Sequence, residues 1–333
     1  MAEYDVVGIG NALVDVLAHC EDDFLAHHAL DKGAMILVDE ERSAFLYDLL
    51  GPALECSGGS CGNTMAGLAS LAGPDRTVAT AYIGKICDDQ LGQVFRHDMR
   101  AMGVAFDTAP EKNQPTTGRC LVLISPDAQR TMCTFLGAAT KLGPADIDPE
   151  VIQAAKVTYM EGYLFDPPDA QRAFVRAAEL AHAAGRKVSI TLSDSFCVDR
   201  HRAAFRHLVE HHIDILFANE AEVISLYEAQ SFDEALQQVR GHCEIACLTR
   251  SEKGSVVFGG GEIHVVDAEP VAKVVDTTGA GDQYAAGFLY GYSRGMPLAT
   301  CGLIASIAAA EVISHQGARP EKNLAELVGE RVG

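Results

Sequence analysis

From about residue 150 onward, short apolar runs alternate with stretches whose apolar residues recur every three or four positions. VTYMEGYL is followed by DAQRAFVRAAELAHAAG, then VSITLS, a helical stretch near Arg202, IDILFANE, a further helical stretch and IACLTR. Brief β-branched and aliphatic runs predict buried strands, and the three-to-four period between them predicts amphipathic helices. Strands and helices alternating at this length join through right-handed crossovers into a parallel sheet covered on both faces. The pattern predicts an α/β fold.

Two regions break the alternation. RCLVLISPDAQRTMCTFL reads as a hairpin turning near Pro126 and Asp127, and the segment from about Leu13 to Leu50 follows no helix–strand rhythm. Such pieces predict a small sheet appended to the main one. GSVVFGGGEIHVV predicts another hairpin, turned by Gly259, Gly260 and Gly261. The tail from Pro297 to His315 is almost continuously apolar on a helical period and is expected to stop at Gly317. It should lie against the helix that begins near Gly281, and the two helices with the loop after them are expected to enclose a nucleotide base.

Bulk properties narrow the classes. The chain has 333 residues and 48% hydrophobic content, enough for a large core, and no repeat, low-complexity tract or long linker divides it. A single domain over 1–333 is expected. With 26 basic against 46 acidic side chains the formal charge is −20, which disfavours nucleic acid and anionic membrane as partners. The N-terminal MAEYD lacks a basic segment leading into an apolar one, and CGLIASIAAAEVI is too short and interrupted to span a bilayer, so a soluble cytoplasmic protein is expected. Ten cysteines occur without a CxxC pair or zinc-like spacing and read as reduced core residues.

Four stretches carry candidate chemistry. In VVGIGNALVD, Gly8 and Gly10 follow a strand, but Leu13 replaces the third glycine of a dinucleotide fingerprint; no GxxxxGK[ST] occurs. Asn11 and Asp15 instead offer polar groups past the strand's C-terminal edge, where open α/β sheets bind ligands, and a carboxylate there can accept two hydrogen bonds from a diol. In SGGSCGNTMAGLASLAG, Gly58 and Gly59 permit close backbone approach and Asn63 can bond hydroxyls; tight helix packing explains the small residues equally well. ANEAEV places Asn219 and Glu222 three residues apart, either capping a helix or holding a hydrated magnesium ion. In DTTGAGDQYAAGF, Gly279, Ala280 and Gly281 at a helix start offer amides to a phosphate, and Asp282 stands beside them; helix capping is the alternative.

Together and in order, these features resemble the ribokinase, or PfkB, family of carbohydrate and nucleoside kinases over nearly the whole chain. DTTGAGD is similar to the family's C-terminal signature, GGSCGN to its N-terminal one, and Asn219 with Glu222 to its NxxE motif. The resemblance implies a three-layer α/β sandwich with a mostly parallel central sheet. It also implies a small β-sheet lid formed by insertions at about 13–50 and 106–138, closing over the acceptor to exclude water. Asp282 would take the acceptor hydroxyl's proton while the amides of residues 279–282 stabilise charge on the transferring phosphoryl group. ATP would be the donor, with Mg²⁺ near Glu222. A potassium site is implied around Asp276, Thr278 and the loop near Gly317. Thr249 and Gly254 in LTRSEKGS match the nucleotide-binding segment, and Ser306 stands where ribokinases place an asparagine near the adenine.

The acceptor is expected to be a nucleoside, adenosine first, with phosphorylation on the 5′-hydroxyl. GNALVD is similar to the GNPLLD of adenosine kinases within the family, and TLSDSF to their NLSxPF segment, which would bring Phe196 near a purine. Arg130 resembles the lid arginine that reaches phosphates, and Phe135 and Leu136 would enclose the base. GGSCGNT is nearer the generic sugar-kinase form, which keeps a sugar kinase of ribokinase, fructokinase or 2-keto-3-deoxygluconate kinase type as the alternative. Small molecules are the expected partners of a monomer, or of a homodimer formed through the lid.

Overall fold

The computed structural model describes residues 2–127 and 129–332. Among them, nine strands form one sheet in the spatial order Glu262–Val266, Ser255–Gly259, Ile245–Thr249, Ile215–Asn219, Lys187–Thr191, Ala155–Glu161, Tyr4–Ile9, Thr80–Ile83 and Val104–Ala105. The seven strands from Ile245–Thr249 to Val104–Ala105 are parallel, and the first two in this order add an antiparallel edge. Helices bury both faces of the sheet in two apolar clusters. This is the mixed α/β architecture of the ribokinase-like fold, with a second, smaller sheet.

Local sequence explains the helices on those faces. Pro168 starts Pro168–Ala183 where its missing N–H costs nothing. Ala170, Ala173, Phe174, Ala177, Ala178 and Ala181 then form one fully buried stripe. Burying Phe174 alone stabilises the packing by about 1.5–3 kcal/mol.

The expected tail helix spans Leu298–Val312 and packs against Ala280–Ser293. It ends before Gly317, which lies five residues past Val312 in the following loop with φ +107°. Small residues let the two helices meet backbone to backbone: a Cβ on Gly287 would stand 2.6 Å from Ala305 Cα, and one on Gly291 would stand 2.9 Å from Cys301 Sγ.

The second sheet has the order Met35–Leu37, Arg130–Gly137, Thr117–Ile124, Leu13–His19, Leu54–Gly58. Its hairpin turns where the sequence predicts, with the Ser125 hydroxyl bonded to Asp127. Two departures concern its extent. Residues 106–116 contribute no strand to it, and Leu54–Gly58 joins it from outside the predicted segments. LECSG carries little apolar signal because it is an edge strand, paired on one side only with Leu13–His19.

Register places one row of side chains across this sheet: Cys56, Asp15, Cys120, Thr134 and Leu37. The next row on that face is Leu54, Leu17, Val122, Met132 and Met35. Asp15 is therefore the one carboxylate in ten mostly apolar positions.

Candidate active site

The parallel sheet grows in both directions from Tyr4–Ile9, toward Thr80–Ile83 on one side and Ala155–Glu161 on the other. Such a reversal opens a crevice at the strand carboxyl ends. Asn11 and Glu161 meet there: Asn11 Nδ2 donates to Glu161 Oε1 at 2.7 Å and its backbone N–H to Oε2 at 3.3 Å. Glu161 also accepts the N–H of Cys61 at 2.9 Å, fixing the start of the Ser60–Ala72 helix. Burial pushes its carboxyl up to about 7. Glu161 went unread in the sequence because it closes an apolar strand; its only signal was a carboxylate at that strand's C-terminal end.

Gly59 caps the same helix with φ +82°, and a Cβ there would stand 2.4 Å from the Asn11 carbonyl oxygen. From the first turn, Ser60 and Asn63 reach Asp282. Ser60 Oγ donates to Asp282 Oδ1 at 2.6 Å and Asn63 Nδ2 to Oδ2 at 3.1 Å. Asp282 stands partly exposed in the first turn of Ala280–Ser293. Desolvation raises its carboxyl to about 6; the two hydrogen bonds and Arg319 oppose this, and the charge of Asp15 adds to it.

Gly279 caps that helix in the left-handed region at φ +80°, where a Cβ would stand 2.6 Å from Ala318 Cα. Ala280 spends its N–H on the Thr277 carbonyl at 3.2 Å, so the four-residue set of anion donors loses this member. No acceptor among the described residues takes the N–H of Gly279, Gly281 or Asp282, and space beside Gly281 is open.

Asp15 sits past the C-terminal end of the first strand, as the sequence predicts, within the second sheet's Leu13–His19 strand. Gly58 lies under it: a Cβ on Gly58 would stand 2.3 Å from Asp15 Cγ. Desolvation pushes Asp15 to about 6, against the pull of Arg319 and Arg130, and no described side chain or amide hydrogen-bonds its carboxylate.

Arg130 crosses from the second sheet to the loop before Gly279, where Nη1 pairs with Asp276 Oδ2 at 3.1 Å. Asp276 also accepts the Thr278 N–H at 3.0 Å, the Thr278 hydroxyl at 2.7 Å and the Gly317 N–H at 3.1 Å. Burial works against ionisation of Asp276, but these donors and Arg130 outweigh it and hold the carboxyl below its usual value. The structure thus joins Asp276, Thr278 and Gly317 as expected. It also fills the Asp276 carboxylate with donors, and a potassium ion does not fit on that side chain.

At the other end of the cleft, Asn219 and Glu222 form a reciprocal cap. Asn219 Nδ2 donates to Glu222 Oε1 at 2.6 Å, the Asn219 N–H to Oε2 at 2.9 Å, and the Glu222 N–H to Asn219 Oδ1 at 2.9 Å. Burial raises Glu222 to about 7. Thr249 is the register partner of Asn219 on the next strand. Gly254 turns the chain at φ +77°, and a Cβ there would stand 2.0 Å from the Val266 carbonyl oxygen.

The other expected residues make no hydrogen bond to these groups among the described residues. Ser306 is bound to the loop after the last strand, donating to the Asp267 carbonyl at 3.0 Å and accepting the Glu269 N–H at 2.8 Å. Phe196 is 74% exposed on the first turn of Ser195–His212. Phe135 and Leu136 line a cavity of about 230 Å³ with Leu37, Val38, Pro115 and Thr134.

A profile described as pfkB family carbohydrate kinase matches residues 51–324. The chain belongs to the pfkB family. As a pfkB-family kinase it is a phosphotransferase acting on an alcohol acceptor. Its structure superposes on the adenosine kinase from Sinorhizobium meliloti with TM-score 0.89 and 48% identity, covering 99% of each chain. A probable sugar kinase from Rhizobium etli gives TM-score 0.89 at 47% identity, again over 99% of each chain. An adenosine kinase of Saccharomyces cerevisiae is 27% identical over 316 residues, 89% of this chain and 90% of that protein. Among the described residues of this family member, no helix is long and apolar enough to cross a membrane, and no three His, Cys, Asp or Glu side chains cluster to hold a metal.

Proposed function

We propose that this kinase transfers the γ-phosphoryl group of ATP to the 5′-hydroxyl of a purine nucleoside, adenosine first. The observation that carries this reading is Asp15: a carboxylate without a hydrogen bond from the described residues, set in a mostly apolar sheet face. A ribose diol satisfies the carboxylate, and a base covers apolar side chains that a free sugar leaves uncovered. The adenosine kinase at 48% identity supports the same acceptor.

Asp282, held by Ser60 and Asn63, accepts the proton of the attacking hydroxyl. The N–H groups of Gly279, Gly281 and Asp282 face the negative charge that develops on the transferring group, with the helix N-terminus behind them. Each Glu222 oxygen accepts one bond from Asn219 and keeps a lone pair, which fits water-mediated anchoring of a hydrated magnesium ion. That ion would neutralise donor phosphate charge. The second sheet acts as a lid over the acceptor, with Arg130 bound to the anion loop as its clasp.

A panel of adenosine, inosine, guanosine, cytidine, ribose, fructose and ketodeoxygluconate, each with ATP and magnesium, tests the acceptor. A purine nucleoside is expected to show the highest kcat/KM. A free sugar ahead of every nucleoside would replace this reading with the sugar-kinase one, leaving Asp282 and its amides in place.

A further inference from the structure

Arg319 stood out in no motif, yet its guanidinium lies behind the acceptor groups, in the loop after Leu298–Val312. Nε donates to Asn63 Oδ1 at 3.2 Å and Nη1 to Ser57 Oγ at 3.0 Å. Nη2 is buried and has no partner among the described residues. The charge therefore stays inside although its hydrogen bonding is incomplete, a costly arrangement unless nearby negative groups compensate it.

Those groups come from every element around it. Asp15 and Cys56 face it from the second sheet, Asp98 from the Gln90–Ala101 helix and Tyr82 from Thr80–Ile83. Asp282 feels it from the Ala280–Ser293 helix, where Asp15 and Glu161 also act, and Arg130 is a second cation acting on Asp15. A guanidinium can only donate, so its bond to Asn63 requires the amide oxygen on that side. The Asn63 NH₂ group is thereby turned toward Asp282.

We propose that Arg319 is a positioning residue, which locks the Asn63 amide with its NH₂ group on Asp282 and lends its positive charge to both Asp282 and Asp15. The inference rests on Asp282 being the base. Without the guanidinium the amide is free to turn over. Its oxygen would then face the Asp282 carboxylate, an arrangement that favours the protonated acid. Loss of the cation pushes in the same direction.

The test is the pH dependence of acceptor kcat/KM in the wild type, Arg319→Met, Arg319→Lys and Asp282→Asn, with circular dichroism and Tm as controls of folding. In Arg319→Met the acid limb should move up by about one pH unit, the low end of what a neighbouring opposite charge does. Arg319→Lys, which keeps the charge, should leave the limb nearer the wild-type position. Should Arg319→Met fail to fold, Arg319→Leu, neutral and likewise without a donor, carries the same expectation. A folded neutral variant whose rate falls equally at every pH, with the limb unmoved, overturns the proposal while an inactive Asp282→Asn upholds the base. Near-normal turnover in Asp282→Asn overturns both.

Discussion

Asp282 and Asp15 face the same cleft from different parts of the molecule, and burial raises both carboxyls to about 6. Their surroundings differ in one respect: Asp282 receives hydrogen bonds from Ser60 and Asn63, whereas Asp15 receives none from the described residues. The first carboxylate is aimed before any ligand arrives, as a base must be to act without reorganisation. The second keeps its acceptor capacity open, so its desolvation is offset only when hydroxyls occupy it. On the roles proposed for them, chemistry is built into the protein and recognition is left for the substrate to complete.

The sharpest way to break this contrast is Asp282→Asn, which keeps shape and removes basicity. Turnover should fall by ~10²–10⁴-fold or more with both substrates still bound; near-normal kcat would remove Asp282 from its role. Asp15→Ala should instead lower acceptor kcat/KM by about 10–150-fold, from the ~1.5–3 kcal/mol of charged hydrogen bonds lost, and leave the KM for ATP nearly unchanged. Equal rises in both KM values would erase the distinction between the two carboxylates.

pH sharpens it further. In the proposed roles both groups act ionised, so acceptor kcat/KM should fall below about pH 6 with a slope approaching two protons. In Asp15→Asn the slope should drop to one, and an unchanged slope of two would mean that Asp15 does not titrate in this range.

The smallest effect is on stability. The folded-state pKa of Asp15 lies above its ordinary value of 3.8, so folding disfavours its charged form. The resulting destabilisation starts as pH rises past the unfolded value and is complete above about 6. Asp15→Asn should therefore raise Tm by a few degrees at pH 7.5 and by little at pH 4. A lower Tm at pH 7.5 would show that the carboxylate is satisfied by the protein after all.

What could be read in the sequence followed from local rules. DTTGAGD announced itself because a left-handed glycine, free amides and an acid at a helix start are adjacent in the chain. Asn219 and Glu222 were visible as a three-residue spacing, although the same spacing produces the cap observed. The alternating strands and helices after residue 150 were legible because each buries a stripe of its own. Contacts between distant segments were not. Arg319 reaches Asn63 across 256 positions and Glu161 reaches Asn11 across 150, and neither residue disturbs the periodicity around it. Edge strand Leu54–Gly58 escaped because pairing on one side needs little apolar sequence. The exposure of Phe196 depends on what packs against its helix in space, which no local pattern encodes.

Gly58 gives the proposed acceptor site an unusual sensitivity to substitution. Every replacement for glycine carries a Cβ, and here the Cβ would fall 2.3 Å from Asp15 Cγ. The short aspartate side chain would have to swing off its station to make room. Any side chain at position 58, even that of alanine, would then displace the Asp15 carboxylate, and with it the acceptor contact proposed for that group. The room left for the Asp15 carboxylate is no wider than a hydrogen atom on the Gly58 Cα.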